Sequence, residues 1–120
     1  MCQNEDVHAD DLERGIHLFN SAEFFEAHEV LENIWRAAPP EHKKFFQGLT
    51  QAAVAFHHHS TGNRIGARSV LARARKNLTG FHECFGEIQL GVLLNALDGW
   101  LDAMDNNQPV PELPRIRTTV

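Results

Sequence analysis

The sequence predicts an all-α fold, a single compact bundle of about five helices with an extended proline-containing C-terminal tail. Three observations predict it. Apolar residues recur at three- and four-residue spacing, the helical period, through most of the chain. Sustained two-residue alternation is missing, and β-branched residues are sparse. Gly, Pro and Asn clusters divide the chain into segments of helix length with short connections, so neighbouring helices should run antiparallel. A length of 120 residues is one domain's worth of chain and suffices to bury a core without staples.

Residues 1–8 are expected as a loose N-terminus, 9–106 as the helical domain and 107–120 as the tail. Leu12, Ile16 and Phe19 mark a short first helix over residues 9–19. Asn20 then has the chemistry of an N-cap, with Glu23 three residues on completing a capping box for the second helix. That helix runs to about Arg36, where Pro39 and Pro40 stop it. The third spans residues 41–60, with Phe45, Leu49, Ala52 and Phe56 in a narrow arc. "STGN" ends it, and Asn63 caps a fourth helix to about Thr79 that turns Ala67, Val70, Leu71, Ala74 and Leu78 inward. "GFHECFG" reads as a loop. The fifth helix carries Leu90, Leu93, Leu94, Leu97, Trp100, Leu101 and Met104. Three prolines keep "NNQPVPELPRIRTTV" extended.

Charge narrows the classes of function. A net charge of −5, with no aromatic side chains interleaved among the bases, argues against nucleic-acid binding. No apolar run approaches the roughly 18 residues that cross a bilayer, so no membrane partner is expected. The N-terminal "MCQNEDVHADD" is neither a signal nor a basic transit peptide, and two cysteines make no disulfide framework. A cytoplasmic setting is expected. The charge is also uneven. Residues 5–35 carry nine acids against Arg14 alone, while residues 64–76 carry Arg64, Arg68, Arg73, Arg75 and Lys76 with no acid.

The stretch "FFEAHEVLENIW" is the main chemical signal. His28 and Glu32 lie about 40° apart on the second helix, one turn above the other, so an imidazole and a carboxylate can converge on one ion. The same spacing also serves ordinary ion pairs on a helix surface. Glu29 and Phe25 flank the pair, and Trp35 lies on the apolar stripe, where a tryptophan is more often core than pocket floor. Further donors would come from the third helix: Gln51 and His58, two turns apart, are expected to face the second helix. The histidines of "FHHHS" equally suit a helix C-terminus. "HEVLE" fails the zinc-protease pattern, because Glu32 stands where the second histidine belongs. The one E-x-x-H, Glu5 to His8, lies in the N-terminus. G-x-S-x-G and glycine-rich phosphate loops are missing, and no reaction is indicated.

"LFNSAEFFEAHEVLENIW", "FFQGLTQAAVAFHH" and "GNRIGARSVLARA" resemble, in order, the three signature blocks of the DUF309 family of small all-helical proteins. The resemblance covers roughly residues 12–80. It implies a functional H-x-x-x-E-x-x-(W/Y) motif, which falls on His28, Glu32 and Trp35. The family's "QGLIQ" glutamine falls on Gln51, with Thr50 in place of an aliphatic residue. A family histidine before the "GN" turn falls on His58 or His57.

Two readings follow. In the first, a divalent metal (zinc, iron or manganese) or a small polar ligand sits between the second and third helices, with His28 and Glu32 as ligands and Glu29, Trp35, Gln51 and His58 around it. Glu29 is then the candidate base for any metal-assisted chemistry. In the second, the chain is a non-catalytic interaction module that packs like a TPR hairpin. A forty-residue offset aligns Ala27 with Ala67, Val30 with Val70 and Leu31 with Leu71, although the interval is not that of a solenoid. The partner is then a protein or a second copy forming a homodimer. A solvated helix face is the commonest fate of Arg64, Arg68 and Arg75; the alternatives are that they meet the acidic second helix within the chain or across the seam, or hold an anionic ligand.

Overall fold

Helices form where the apolar spacing places them. In the computed structural model, which describes residues 9–81, 84, 85 and 87–119, the order is α1 (Ala9–Asn20), α2 (Phe24–Ala37), α3 (Pro40–Ser60), α4 (Arg64–Leu78), β1 (Cys84–Phe85), β2 (Ile88–Gln89) and α5 (Leu90–Asp105). The expected loose N-terminus, with its Glu5–His8 motif, lies outside the described residues.

Stops and caps explain most boundaries. Pro40 occupies the first turn of α3, where its missing N–H costs nothing. The Asn63 side chain accepts a 2.9 Å hydrogen bond from the Gly66 N–H, the expected cap of α4. The expected capping box at α2 does not form. Glu23 is the residue before α2 and its side chain caps nothing. The chain turns into α2 through Ala22, whose φ of 62° places it in the left-handed region. Asn20 is the last residue of α1, and its amide is drawn away to the far end of the sequence. Its Nδ2 donates to the Ile116 carbonyl (3.0 Å) and its Oδ1 accepts from the Ile116 N–H (2.7 Å). Tertiary hydrogen bonding outcompetes the local cap.

Helix α3 is the centre of the bundle. Phe45, Leu49, Ala52 and Phe56 are buried as expected, but so are Phe46, Gly48, Thr50, Ala53 and Ala55, so the narrow arc understates its burial. The reason is position: α3 lies between α2 and α4 and packs along both. Small residues permit that double contact. A Cβ added at Gly48 would come within 2.7 Å of Leu78 Cγ and 3.2 Å of the Ala74 carbonyl oxygen, so α4 approaches α3 more closely there than any side chain allows. Buried Thr50 satisfies its hydroxyl by donating to the Phe46 carbonyl at 2.7 Å.

Two aromatic clusters hold the ends of α3. Toward its C-terminus, Phe56 meets Phe24 at 5.5 Å and Trp100 at 4.9 Å, and Phe19 adds an edge-to-face contact with Phe24 at 5.2 Å. Toward its N-terminus, Phe45 stacks on Phe85 at 3.9 Å, with Phe46 and Phe81 edge-on around them. Phe85 reaches this cluster because part of the expected loop is a short antiparallel hairpin, pairing Cys84 with Gln89 and Phe85 with Ile88. The tail is extended, as its prolines require, and docks on the bundle. Gln89 N–H donates to the Arg117 carbonyl and Thr119 N–H to that of Glu87, both at 2.8 Å, an isolated bridge that ties the tail to the hairpin. The Trp100 indole donates to the Glu112 carbonyl at 2.9 Å, and Ile116 is buried.

Candidate functional site

The two ends of the α2–α3–α4 hairpins are fixed by named contacts. Phe25 at the start of α2 lies 5.5 Å from His57 near the end of α3, and Lys43 near the start of α3 donates to the Trp35 and Arg36 carbonyls at the end of α2. His58 meets Asn63, which precedes α4, at 3.4 Å. The three helices are therefore antiparallel in turn. The start of α2, the end of α3 and the start of α4 share one end of the bundle.

His28 turns back on its own helix, with Nδ1 2.6 Å from the Phe25 carbonyl oxygen. A carbonyl can only accept, so the proton sits on Nδ1 and, in the neutral ring, Nε2 holds the lone pair. The Phe25 ring covers the imidazole edge-on at 5.1 Å while staying 50% exposed itself. Glu32 accepts from Arg36 Nη2 at 3.1 Å, the i,i+4 ion pair that its spacing also allowed. Glu29 is exposed. Trp35 is half-buried against the core, as its place on the apolar stripe favours.

The expectation that Gln51 and His58 face α2 is corrected. The Gln51 Oε1 accepts from Asn77 Nδ2 at 2.7 Å, and His58 is beside Asn63, so both turn to the α4 side of α3. Residues seven apart share a face, and α4 covers that face. The next residue round the helix, His57, is the one that reaches the α2 flank, through Phe25. His59 packs edge-on against Trp100 at 4.9 Å. His28, Glu32, Gln51 and His58 thus do not converge on one hollow, and among the described residues no group of three or more His, Cys, Asp or Glu side chains is placed to hold a metal ion.

Two arginines of the basic helix find their acids within the chain. Arg68 pairs with Asp105 (2.8 and 3.0 Å) and Arg75 with Asp98 (2.7 and 3.1 Å), both two-pronged and both to α5 rather than α2. These hydrogen bonds hold the Asp98 and Asp105 carboxyls below the usual carboxylate range. Sequence reasoning missed Ile65, which is 86% exposed on the first turn of α4. Its signal was an aliphatic residue outside the inward set of Ala67, Leu71, Ala74 and Leu78. No helix among the described residues is long and apolar enough to cross a membrane.

Comparison with known proteins places residues 12–70 in the family described as "Domain of unknown function (DUF309)". The chain is 35% identical over 69 residues to the uncharacterized protein YpuF of Bacillus subtilis (strain 168), a match covering 57% of this chain and 40% of that protein. It is 31% identical over 106 residues to an uncharacterized protein of Aquifex aeolicus (strain VF5), covering 88% of this chain and 32% of the relative. The chain therefore spans well under half the length of these two relatives.

Proposed function

Over residues 12–70 the chain carries a DUF309 domain, and from that premise we propose that it is a non-catalytic helical interaction module that docks a protein partner. One observation supports this above the rest. Two large apolar side chains, Phe25 and Ile65, stand exposed at the same end of the bundle, on either flank of α3. Leaving them in water forgoes about 1.5–3 kcal/mol each, and exposed apolar anchors with polar surroundings are the anatomy of a contact site. The polar surroundings are Glu26, Glu29 and His28 around Phe25, and Arg64 and Arg68 around Ile65. The reading is tested by capture from a bacterial lysate with wild-type chain and with the Phe25→Ser/Ile65→Ser double variant. Captured proteins are identified by mass spectrometry, then purified and titrated. We expect a partner, this chain's own copies included, whose binding weakens at least tenfold in the variant, about 1.4 kcal/mol. Equal capture by both chains would discard the reading.

A second reading, a divalent ion on His28 and Glu32, is favoured by the orientation of His28. A ligating imidazole characteristically donates its other ring N–H to a carbonyl, as Nδ1 does here, leaving Nε2 for the ion. Zinc, iron or manganese suits an imidazole and a carboxylate. Glu32 would have to release Arg36, and water would complete the shell. This reading expects stoichiometric metal in untagged protein and a melting temperature raised by added metal, both lost in His28→Ala. Metal-free protein whose melting is indifferent to all three ions would remove it.

A further inference from the structure

The end of the bundle that carries Phe25 and Ile65 is complementary to itself. On the α2 flank, Phe25 is accompanied by exposed Glu23, Glu26 and Glu29, and by His28, with no Lys or Arg on α2 before Arg36. On the α4 flank, Ile65 is accompanied by Arg64 and Arg68, and α4 contains no acid at all. Asp105 of α5 occupies Arg68, and Asp102 is exposed one turn before it. Arg64 has no ion-pair partner among the described residues. The end of α3, with His57 and His58, separates the two flanks.

Consider a second copy brought end to end with the first by a two-fold axis. Let the axis cross the end of α3 at right angles to the line from α2 to α4. The rotation exchanges the flanks, so the acidic α2 end of each copy lies over the other's α4 end, where Arg68 is already neutralised by Asp105 and Arg64 is the cation left to meet it. Each contact then occurs twice: Phe25 opposite Ile65, and Glu26 opposite Arg64. A two-fold contact of this kind closes on itself and leaves no open flank to propagate a fibre. We infer that this end of the bundle is a self-association surface whose partner is a second copy of this chain. The inference rests on the interaction reading and gives it a partner.

Apolar anchors supply affinity, and the charges set register and salt sensitivity. The contact is confined to one end of each copy, and the dimer it makes is weak and concentration-dependent.

Sedimentation of the purified full chain tests it, over roughly 1 µM to 1 mM, a span of about 4 kcal/mol, at low and high salt. The expected result is a monomer–dimer equilibrium that shifts toward monomer as salt rises. Phe25→Ser and Ile65→Ser should each weaken it at least tenfold. Glu26→Arg and Arg64→Glu should each do the same alone. An equimolar mixture of those two variants should pair again, because both contacts then join opposite charges. All four positions are exposed, so helicity and melting should match wild type, and rescue by mixing excludes simple misfolding. A monomer at every concentration, or a dimer indifferent to all four changes, overturns the inference. If the pure chain stays monomeric while the lysate partner is still lost in the Phe25/Ile65 variant, the inference falls and the interaction reading stands.

Discussion

Replacing Phe56 with alanine is expected to lower the free energy of unfolding by about 3–5 kcal/mol, the range for deleting a buried ring. The size follows from where the ring lies. It meets Phe19 of α1 at 6.1 Å, Phe24 of α2 at 5.5 Å and Trp100 of α5 at 4.9 Å, and it comes from α3 itself. Four helices therefore share the space that would be emptied. Collapse into the cavity would require moving elements fixed elsewhere: α3 by Phe45 against Phe85, α1 by Asn20 on the tail, and α5 by two arginine clamps from α4. A site that cannot relax shows the full cavity cost. A domain of this size is stable by about 5–15 kcal/mol, so the variant should be folded at 25 °C but markedly less resistant to denaturant. Phe56→Leu, which keeps most of the apolar volume, should lose less than half as much. Urea unfolding followed by far-UV circular dichroism measures both. A loss below about 1.5 kcal/mol for the alanine variant would mean that the four-helix junction is looser than these contacts imply.

Phe56 was legible in the sequence because its burial is periodic, and so were the helix limits set by Pro39–Pro40 and by the Asn63 cap. Those signals are local and depend on residues within one turn. What the sequence did not disclose depends on neighbours distant along the chain. Thr50, Ala53 and Ala55 fall off the apolar stripe of α3, yet they are buried because α2 and α4 cover opposite flanks. Gln51 and His58 were placed toward α2 by their spacing, but spacing fixes only that they share a face, not which helix covers it. Arg68 and Arg75 found acids 37 and 23 residues away on α5, although the denser acids lie on α1 and α2. His28 and Glu32 do sit one turn apart as read. Their nearest hydrogen-bonding groups, the Phe25 carbonyl and Arg36, come from α2 itself, and a helix-surface pair needs no second helix. The exposed Phe25 and Ile65 were legible only in part, as apolar residues off the inward arc, since exposure cannot be told from contact without the fold.

Asn20 is where local and long-range chemistry compete most directly, and Asn20→Ala separates them. If Asn20 mattered only as a cap for α2, alanine would cost about 1 kcal/mol and leave the tail unaffected. In the structure its amide holds both polar groups of Ile116, donor to carbonyl and acceptor to N–H. Alanine leaves that N–H and carbonyl without partners beside a buried side chain, at about 1–3 kcal/mol for an unsatisfied group. The tail can escape that cost only by lifting Ile116, which is 2% exposed, into water at about 1.5–3 kcal/mol. The chain takes the cheaper route, so a net loss of about 1.5–3 kcal/mol is expected, with faster amide hydrogen exchange at Ile116 and at Thr119, whose N–H bonds Glu87. Asn20→Asp sharpens the test. A carboxylate still accepts from the Ile116 N–H, but it sets a second negative oxygen against the Ile116 carbonyl where Nδ2 donated. That contact raises the new carboxyl's folded pKa above its unfolded value. The penalty should therefore be greatest near neutral pH and should shrink as pH falls through the folded pKa, because the protonated acid can donate again. Exchange at Ile116 unchanged in both variants would show that the tail is held without Asn20, and that the pairing of residue 20 with residue 116 contributes nothing to the fold.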